Sequence, residues 1–166
     1  MAGTKIYYVE DDRDDAEIVA EAFAGHGYEI HVFNNPVELF HQLHLDEFLP
    51  TLIILDINLP LMNGLEALQL LKAEPKFSRI PVSLLSTSEP GVGFDGKDLY
   101  FLKPTQYHDY EKIVTRLLEH SKRAASAVSQ VRRVPDDLKD HPNIMRLKAK
   151  LKEDLARLRD TKDSRS

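Results

Sequence analysis

The sequence predicts an α/β fold in three layers, a parallel sheet with helices on both faces. Two observations lead there. Short continuous apolar runs alternate with amphipathic stretches, the pattern of strands alternating with helices. The runs lie far enough apart for the crossovers, a dozen residues or more, that parallel neighbours require.

Each element has its own justification. Lys5 to Val9 is a strand buried on both faces. From Asp14 to Ala24 the spacing puts Ile18, Val19, Ala22 and Phe23 on one side of a helix, with Asp14 and Glu17 available to cap its start and Gly25 and Gly27 to end it. Tyr28 to Phe33 is a second strand. Pro36, suited to a first helical position, opens a helix carrying Val37, Phe40 and Leu43. Leu52 to Leu55 is the most apolar strand, and Asn63-Gly64 turns into a helix through Leu65, Leu68 and Leu71 that stops near Pro75. Pro81 to Leu85 and Leu99 to Leu102 complete the strands. Beyond Lys103-Pro104 a long helix carries Tyr107, Tyr110, Ile113, Val114, Leu117 and Leu118 inward and extends toward Val131. Pro135 marks a break, and from Asn143 to Arg159 a last amphipathic stretch presents Ile144, Leu147, Leu151, Leu155 and Leu158 on one face. About 30 residues cannot build a core unaided, so this stretch packs on the parent domain, frays in solvent or pairs with a second copy.

The 166 residues hold one domain and an appendage. With 42% hydrophobic and 30% charged residues, a wholly disordered or fibrous chain is not expected. No apolar run exceeds four residues, whereas a membrane span takes about 20. The N-terminus shows no basic stretch followed by a long apolar segment, so no secretory signal is expected. The absence of cysteine removes disulfides, thiolate metal sites and cysteine nucleophiles, and fits a cytoplasmic location. Charge is unevenly spread. Residues 1–120 hold 9 Lys+Arg against 20 Asp+Glu, a balance of −11, and residues 121–166 hold 13 against 7, or +6. An acidic body disfavours broad nucleic-acid binding, although the basic tail suits an acidic partner.

In a parallel sheet ligands sit beyond the carboxyl ends of the strands. Those ends read Glu10-Asp11-Asp12, Asp56, Ser86-Thr87 and Lys103. Singly, each has an ordinary role: Asp11 and Asp12 as helix caps, Ser86 as a loop hydroxyl, Lys103 as a surface cation. Asp56 is harder to dismiss, because a carboxylate at the edge of so apolar a strand is desolvated at a cost. Taken together, three carboxylates at one rim repel one another unless a cation sits among them, and a hard, oxygen-liganded ion such as Mg²⁺ suits them. Lys103 adds a second positive point and Ser86 a donor. The set describes a phosphoryl-transfer site with a carboxylate nucleophile.

Asp11-Asp12, Asp56 within Asp-Ile-Asn-Leu-Pro-Leu-Met-Asn-Gly, Ser86, Tyr100 and Lys103-Pro104 resemble a response-regulator receiver domain over residues 4–120, leaving 121–166 as a basic helical extension. The resemblance implies a flavodoxin-like (CheY-like) doubly wound sheet of order 2-1-3-4-5. It implies that Asp56 accepts phosphate from a sensor histidine kinase or a histidine phosphotransfer protein, with Mg²⁺ held by Asp11, Asp12, Asp56 and the Asn58 backbone carbonyl. Ser86 and Tyr100 match the switch pair, and Lys103 the phosphate-contacting lysine. A cis peptide before Pro104 is also implied. Phosphorylation adds about −1.5 to −2 of charge. Ser86 is then expected to move to the phosphoryl group and Tyr100 to turn inward, reshaping a surface for a downstream protein. The resemblance thus implies a phosphoacceptor with Mg²⁺-dependent self-phosphorylation and autodephosphorylation, not an enzyme acting on external substrates.

The sequence departs from that pattern between Ser86 and Lys103, shorter than the family norm by about five residues, roughly one and a half turns. With one Pro and three Gly, Ser88 to Asp98 is poor helical material, so the fourth helix is expected to be shortened or lost, and family-style dimerisation through it becomes doubtful. Gly96-Lys97 stands where a Gly-Ala pair is usual. The dinucleotide-like run Gly91 to Gly96 leads into a strand and reads as a loop. His41 and His44, one turn apart, lack a third ligand nearby and read as solvated positions. Two alternatives remain: a Mg²⁺-dependent phosphohydrolase using the same aspartate, which would need a substrate-enclosing cap, and a DNA-binding regulator acting through the tail, which lacks a helix-turn-helix pattern. A homodimer is a further expectation of the apolar stripe.

Overall fold

The apolar runs become the strands of one parallel sheet: β1 (Lys5–Val9), β2 (Glu29–Phe33), β3 (Leu52–Leu55), β4 (Val82–Ser86) and β5 (Tyr100–Leu102), in the order β2-β1-β3-β4-β5, with β1, β3 and β4 buried on both faces and the edge strands β2 and β5 partly exposed. The computed structural model describes residues 5–88, 100–128 and 142–163. The expected shortening of the fourth helix, the Gly91–Gly96 run, Gly96-Lys97 and the Pro135 break lie outside them.

Side chains alternate across β1. Tyr7 and Val9 join a core with Ile53, Leu55 and Leu84, while Ile6 and Tyr8 join another with Leu52, Ile54 and Leu85. Helices α1 (Arg13–Ala24) and α4 (Tyr110–Val128, after a short 3₁₀ turn at Tyr107–Asp109) cover the second core through Val19, Phe23, Val114 and Leu117. Helices α2 (Pro36–Leu45) and α3 (Gly64–Ala73) cover the first through Leu39, Leu43, Ala67 and Leu71.

The helix starts are chemically specified. Asn35 accepts the Glu38 N–H at 3.0 Å with Pro36 in the first turn, and Asn63 and Glu66 form a reciprocal capping box. The expected pairing of Asp14 and Glu17 at the start of α1 is corrected. Asp12 is the cap, its carboxylate accepting the Asp15 N–H at 3.0 Å, because the helix begins one residue earlier, at Arg13.

The last amphipathic stretch is helix α5 (Pro142–Asp163), and it lies against α2 and α3. Ile144, Leu147 and Leu151 are buried in the first core, with Leu155 and Leu158 packed at its margin. Polar contacts fix its register: Asn143 donates to Gln69 at 3.1 Å, Arg146 pairs with Glu66 at 3.7 Å, and the Lys150 ammonium donates to the Leu61 carbonyl. The stripe of leucines is therefore spent inside the chain.

Candidate functional site

The sheet order reverses direction between β1 and β3, which opens a crevice at their carboxyl ends. Val9 pairs with Leu55 in the register, so the next residues, Glu10 and Asp56, emerge side by side. Both are buried, at 2% and 7% exposure, although each carries a carboxylate. Lys103, at the end of β5, is buried with them. Its ammonium donates to Glu10 Oε2 at 2.5 Å, to Asp56 Oδ2 at 3.0 Å and to Asp15 Oδ2, on the first turn of α1, at 3.0 Å. It reaches them with the Lys103–Pro104 peptide in the trans form, so the expected cis bond is absent; trans is the form that X–Pro bonds favour by about 0.5–1 kcal/mol.

Asp56 is held at both oxygens. The Ser86 hydroxyl, fully buried at the end of β4, donates to Oδ1 at 2.6 Å, and the Asn58 N–H approaches the same oxygen at 3.3 Å. Burial alone would raise the Asp56 carboxyl, but the Ser86 hydroxyl and the Lys103 ammonium outweigh it and hold the group below the usual carboxylate range. Glu10 goes the other way. Burial pushes it up to about 7 against the pull of Lys103 and of the Asp12 N–H, which donates to Oε1 at 3.1 Å. Burial also opposes charge on Lys103, yet Glu10, Asp15 and Asp56 overcome it and raise its affinity for the proton. The Asp56 carboxylate is thereby kept ionised although it is buried.

The carboxylates able to share a cation are Glu10, Asp11 and Asp56, with one oxygen from each lying within 4.8 Å of the others. This corrects the Asp11, Asp12, Asp56 set. Asp12 is exposed and occupied as the cap of α1, while the pairing of Val9 with Leu55 puts Glu10 level with Asp56. The signal was available in the sequence, since Glu10 and Asp56 are each the first polar residue after an apolar strand. Asp15 was missed as a partner of Lys103 because a second-position acid on a helix looks like ordinary first-turn chemistry. The donor set is entirely oxygen, and three carboxylates surround one ammonium with Asp11 beside Glu10 and Asp56, which fits a hard divalent cation.

Tyr100 faces inward already. It is half-buried against the first core, with its hydroxyl donating to the Ser86 carbonyl at 3.4 Å, so the expected inward turn on phosphorylation has no distance to cover in this state. A partly buried phenol needs an acceptor, and the Ser86 carbonyl supplies one.

Gly64 permits the close approach of α3 to this site. A Cβ there would lie 2.0 Å from the Asp56 carbonyl oxygen, so Gly64→Ala must displace either the chain at Asp56, just beyond β3, or the helix. We expect a loss of about 3 kcal/mol in urea unfolding; an unchanged midpoint would show that the two elements separate freely.

A carboxylate crevice at the switch point, with an aspartate gripped by a buried lysine, marks a doubly wound α/β domain with a charged site at its strand ends. The chain belongs to the response regulator receiver domain family, whose family model matches residues 6–92. It is similar to the probable transcriptional regulator ycf29 of Pyropia yezoensis, 31% identical over 119 residues that make up 69% of this chain and 53% of that protein. The chain thus spans about half the length of that curated relative. Among solved structures it is similar to the phosphorylated cyanobacterial phytochrome response regulator RcpA, with 28% identity, a TM-score of 0.60, and coverage of 81% of this chain and 100% of the other. It is also similar to the Mn²⁺-bound form of response regulator Rcp1, with 25% identity, a TM-score of 0.55, and coverage of 80% and 99%. These likenesses do not favour the phosphohydrolase alternative.

Proposed function

We propose that Asp56 is the phosphoacceptor of this receiver, taking a phosphoryl group from a sensor histidine kinase or a histidine phosphotransfer protein. The observation that carries this reading is the state of Asp56, buried yet held ionised by Ser86 and Lys103. An Asp56 oxygen attacks the phosphorus of a phosphohistidine; the new O–P bond forms as the N–P bond breaks, and the leaving imidazole nitrogen keeps the bonding pair. Glu10, Asp11, Asp56 and the Asn58 backbone carbonyl would hold Mg²⁺, which neutralises charge on the phosphoryl oxygens when bound. The Mn²⁺-bound Rcp1 neighbour supports such a site.

The chain's own groups do the rest. Lys103, now spread over three carboxylates, turns part of its charge to a phosphoryl oxygen. Ser86 gives up its bond to Asp56 Oδ1 and donates to another. Because the Ser86 carbonyl also accepts from Tyr100 and from the Lys103 N–H at 3.0 Å, a shift of Ser86 is felt directly in β5. The surface of β4, β5 and α4 then changes for a downstream protein. The apolar stripe of α5 is covered by α2 and α3, so a homodimer through that stripe is not expected of the folded chain. Among the described residues no helix is long and apolar enough to cross a membrane, and we place the activity in the cytoplasm.

Incubation with acetyl phosphate and Mg²⁺ tests the proposal. Wild type should gain one hydroxylamine-labile phosphoryl group by intact mass, and chelation should suppress it. Turnover of many phosphate esters without a labelled protein would favour the hydrolase instead.

A further inference from the structure

A cleft of about 420 Å³ lies between α2, α3 and α5, on the face of the sheet that carries those helices. That volume is within the ~300–1,000 Å³ of small-molecule sites. We propose that this cleft binds a small carboxylate with an apolar body, seated against Phe40, Phe77 and Leu155 and held at its charged end by Lys148, Lys152 and Arg159.

The floor is apolar and partly rigid. Phe40 and Phe77 are 2% and 1% exposed, with ring centroids 6.4 Å apart, and Leu155 packs at the margin of the same core. His44 is fixed beside them, its Nδ1 hydrogen-bonded to the Phe40 carbonyl at 2.6 Å and its ring meeting the edge of Phe77 at 5.2 Å. The two histidines one turn apart are therefore divided between roles, and no metal pair forms from them.

The rim is cationic by design of the helix. Positions 148, 152 and 159 fall on one flank of α5. Among the described residues none of the three makes an ion pair, whereas Arg146 and Arg157 of the same helix pair with Glu66 and Asp154. The one carboxylate lining the cleft, Glu74, is turned to the Lys76 N–H at 3.5 Å. The local potential registers on a neighbour: burial first, then Lys162 and Arg159, holds the His41 imidazole below its usual value. Like charges above an apolar floor repel one another, and an anion with an apolar body relieves the repulsion while covering the floor. A bare phosphate would leave the accessible apolar lining, Leu155 and Ala156, uncovered, and a neutral amphiphile would leave the cations unpaired.

Isothermal titration with decanoate, below its micelle-forming concentration, tests this on the full chain. We expect saturable one-site binding, no binding of decylammonium, and at least about tenfold weaker affinity for the Lys148→Glu/Lys152→Glu variant. Lys112→Glu, on α4 and away from the cleft, should bind as wild type. So should Asp56→Asn, which separates this site from the phosphoacceptor. Should the double variant fold poorly, Ala156→Trp offers a second reading. The chain has no other tryptophan, so a blue shift of this indole on adding decanoate would place the ligand at the α5 wall. Non-saturable uptake, equal affinity in the double variant, or an indole that does not respond would overturn the proposal.

Discussion

Asp56→Asn is expected to abolish phosphoryl uptake from acetyl phosphate, with labelling falling to background while the fold persists. The substitution removes the carboxylate that Ser86 grips at Oδ1 and Lys103 at Oδ2, and it leaves a shape of nearly the same size. Glu10 is no substitute: burial drives its carboxyl toward the protonated form, and both its oxygens are engaged, Oε2 by Tyr8 at 3.0 Å and by Lys103, Oε1 by the Asp12 N–H. Two companion variants distinguish the carboxylates. Loss of an outer partner of a metal ligand already costs about 10–100-fold in affinity. Glu10→Gln, which alters a ligand of the proposed site, should therefore raise the Mg²⁺ concentration needed for labelling by at least that much. Asp12→Ala should leave that concentration unchanged and cost only the cap of α1, about 1 kcal/mol. Labelling that survives in Asp56→Asn, or a metal requirement that follows Asp12 instead of Glu10, would refute the assignment.

The contrast between Glu10 and Asp12 shows how far the sequence could be read. The central strands β1 and β3 were legible because four-residue apolar runs buried on both faces have no other use, and their ends located the acidic rim. Which acid of Glu10-Asp11-Asp12 enters the rim depends on register, and register is set by the pairing of Val9 with Leu55, a relation between segments more than 40 positions apart. Asp12 belonged to the helix because α1 begins at Arg13, one residue before the hydrophobic period suggests. Lys103 was legible as a strand-end cation, but its contact with Asp15 depends on how α1 is set against the sheet. The fate of α5 was illegible for a different reason. A stripe of leucines states only that a partner is needed, and whether that partner is α2 and α3 or a second chain is settled by the groove those helices leave, lined by Val37, Phe40 and Leu70.

Lys103→Met is expected to damage both chemistry and stability, and the two losses should respond differently to metal. With the ammonium gone, Glu10 and Asp56 remain buried beside Asp15 and Asp11 with no ion-pair partner among the described residues. Breaking a buried pair at one end costs about 3–5 kcal/mol; because the Asp15 side chain is 34% exposed and screened by water, the lower end applies here. The carboxylates answer by holding protons, so their folded-state pKa values rise above those of the unfolded chain. A group raised in this way makes the folded state bind more protons than the unfolded state, and stability then falls as pH rises. The deficit of Lys103→Met relative to wild type should accordingly widen from about pH 5 to about pH 8 in chelator, read from urea midpoints. Added Mg²⁺ should narrow it, since a ligand that binds only the folded state stabilises that state. Labelling by acetyl phosphate should not recover with the stability. The ammonium is a donor aimed at charge that develops during transfer, and removal of such a donor costs on the order of 100-fold in rate. A variant as stable as wild type in chelator at every pH would mean that the cluster is already neutralised without Lys103. A variant whose labelling returned in full with Mg²⁺ would mean that the lysine serves the fold and not the transfer.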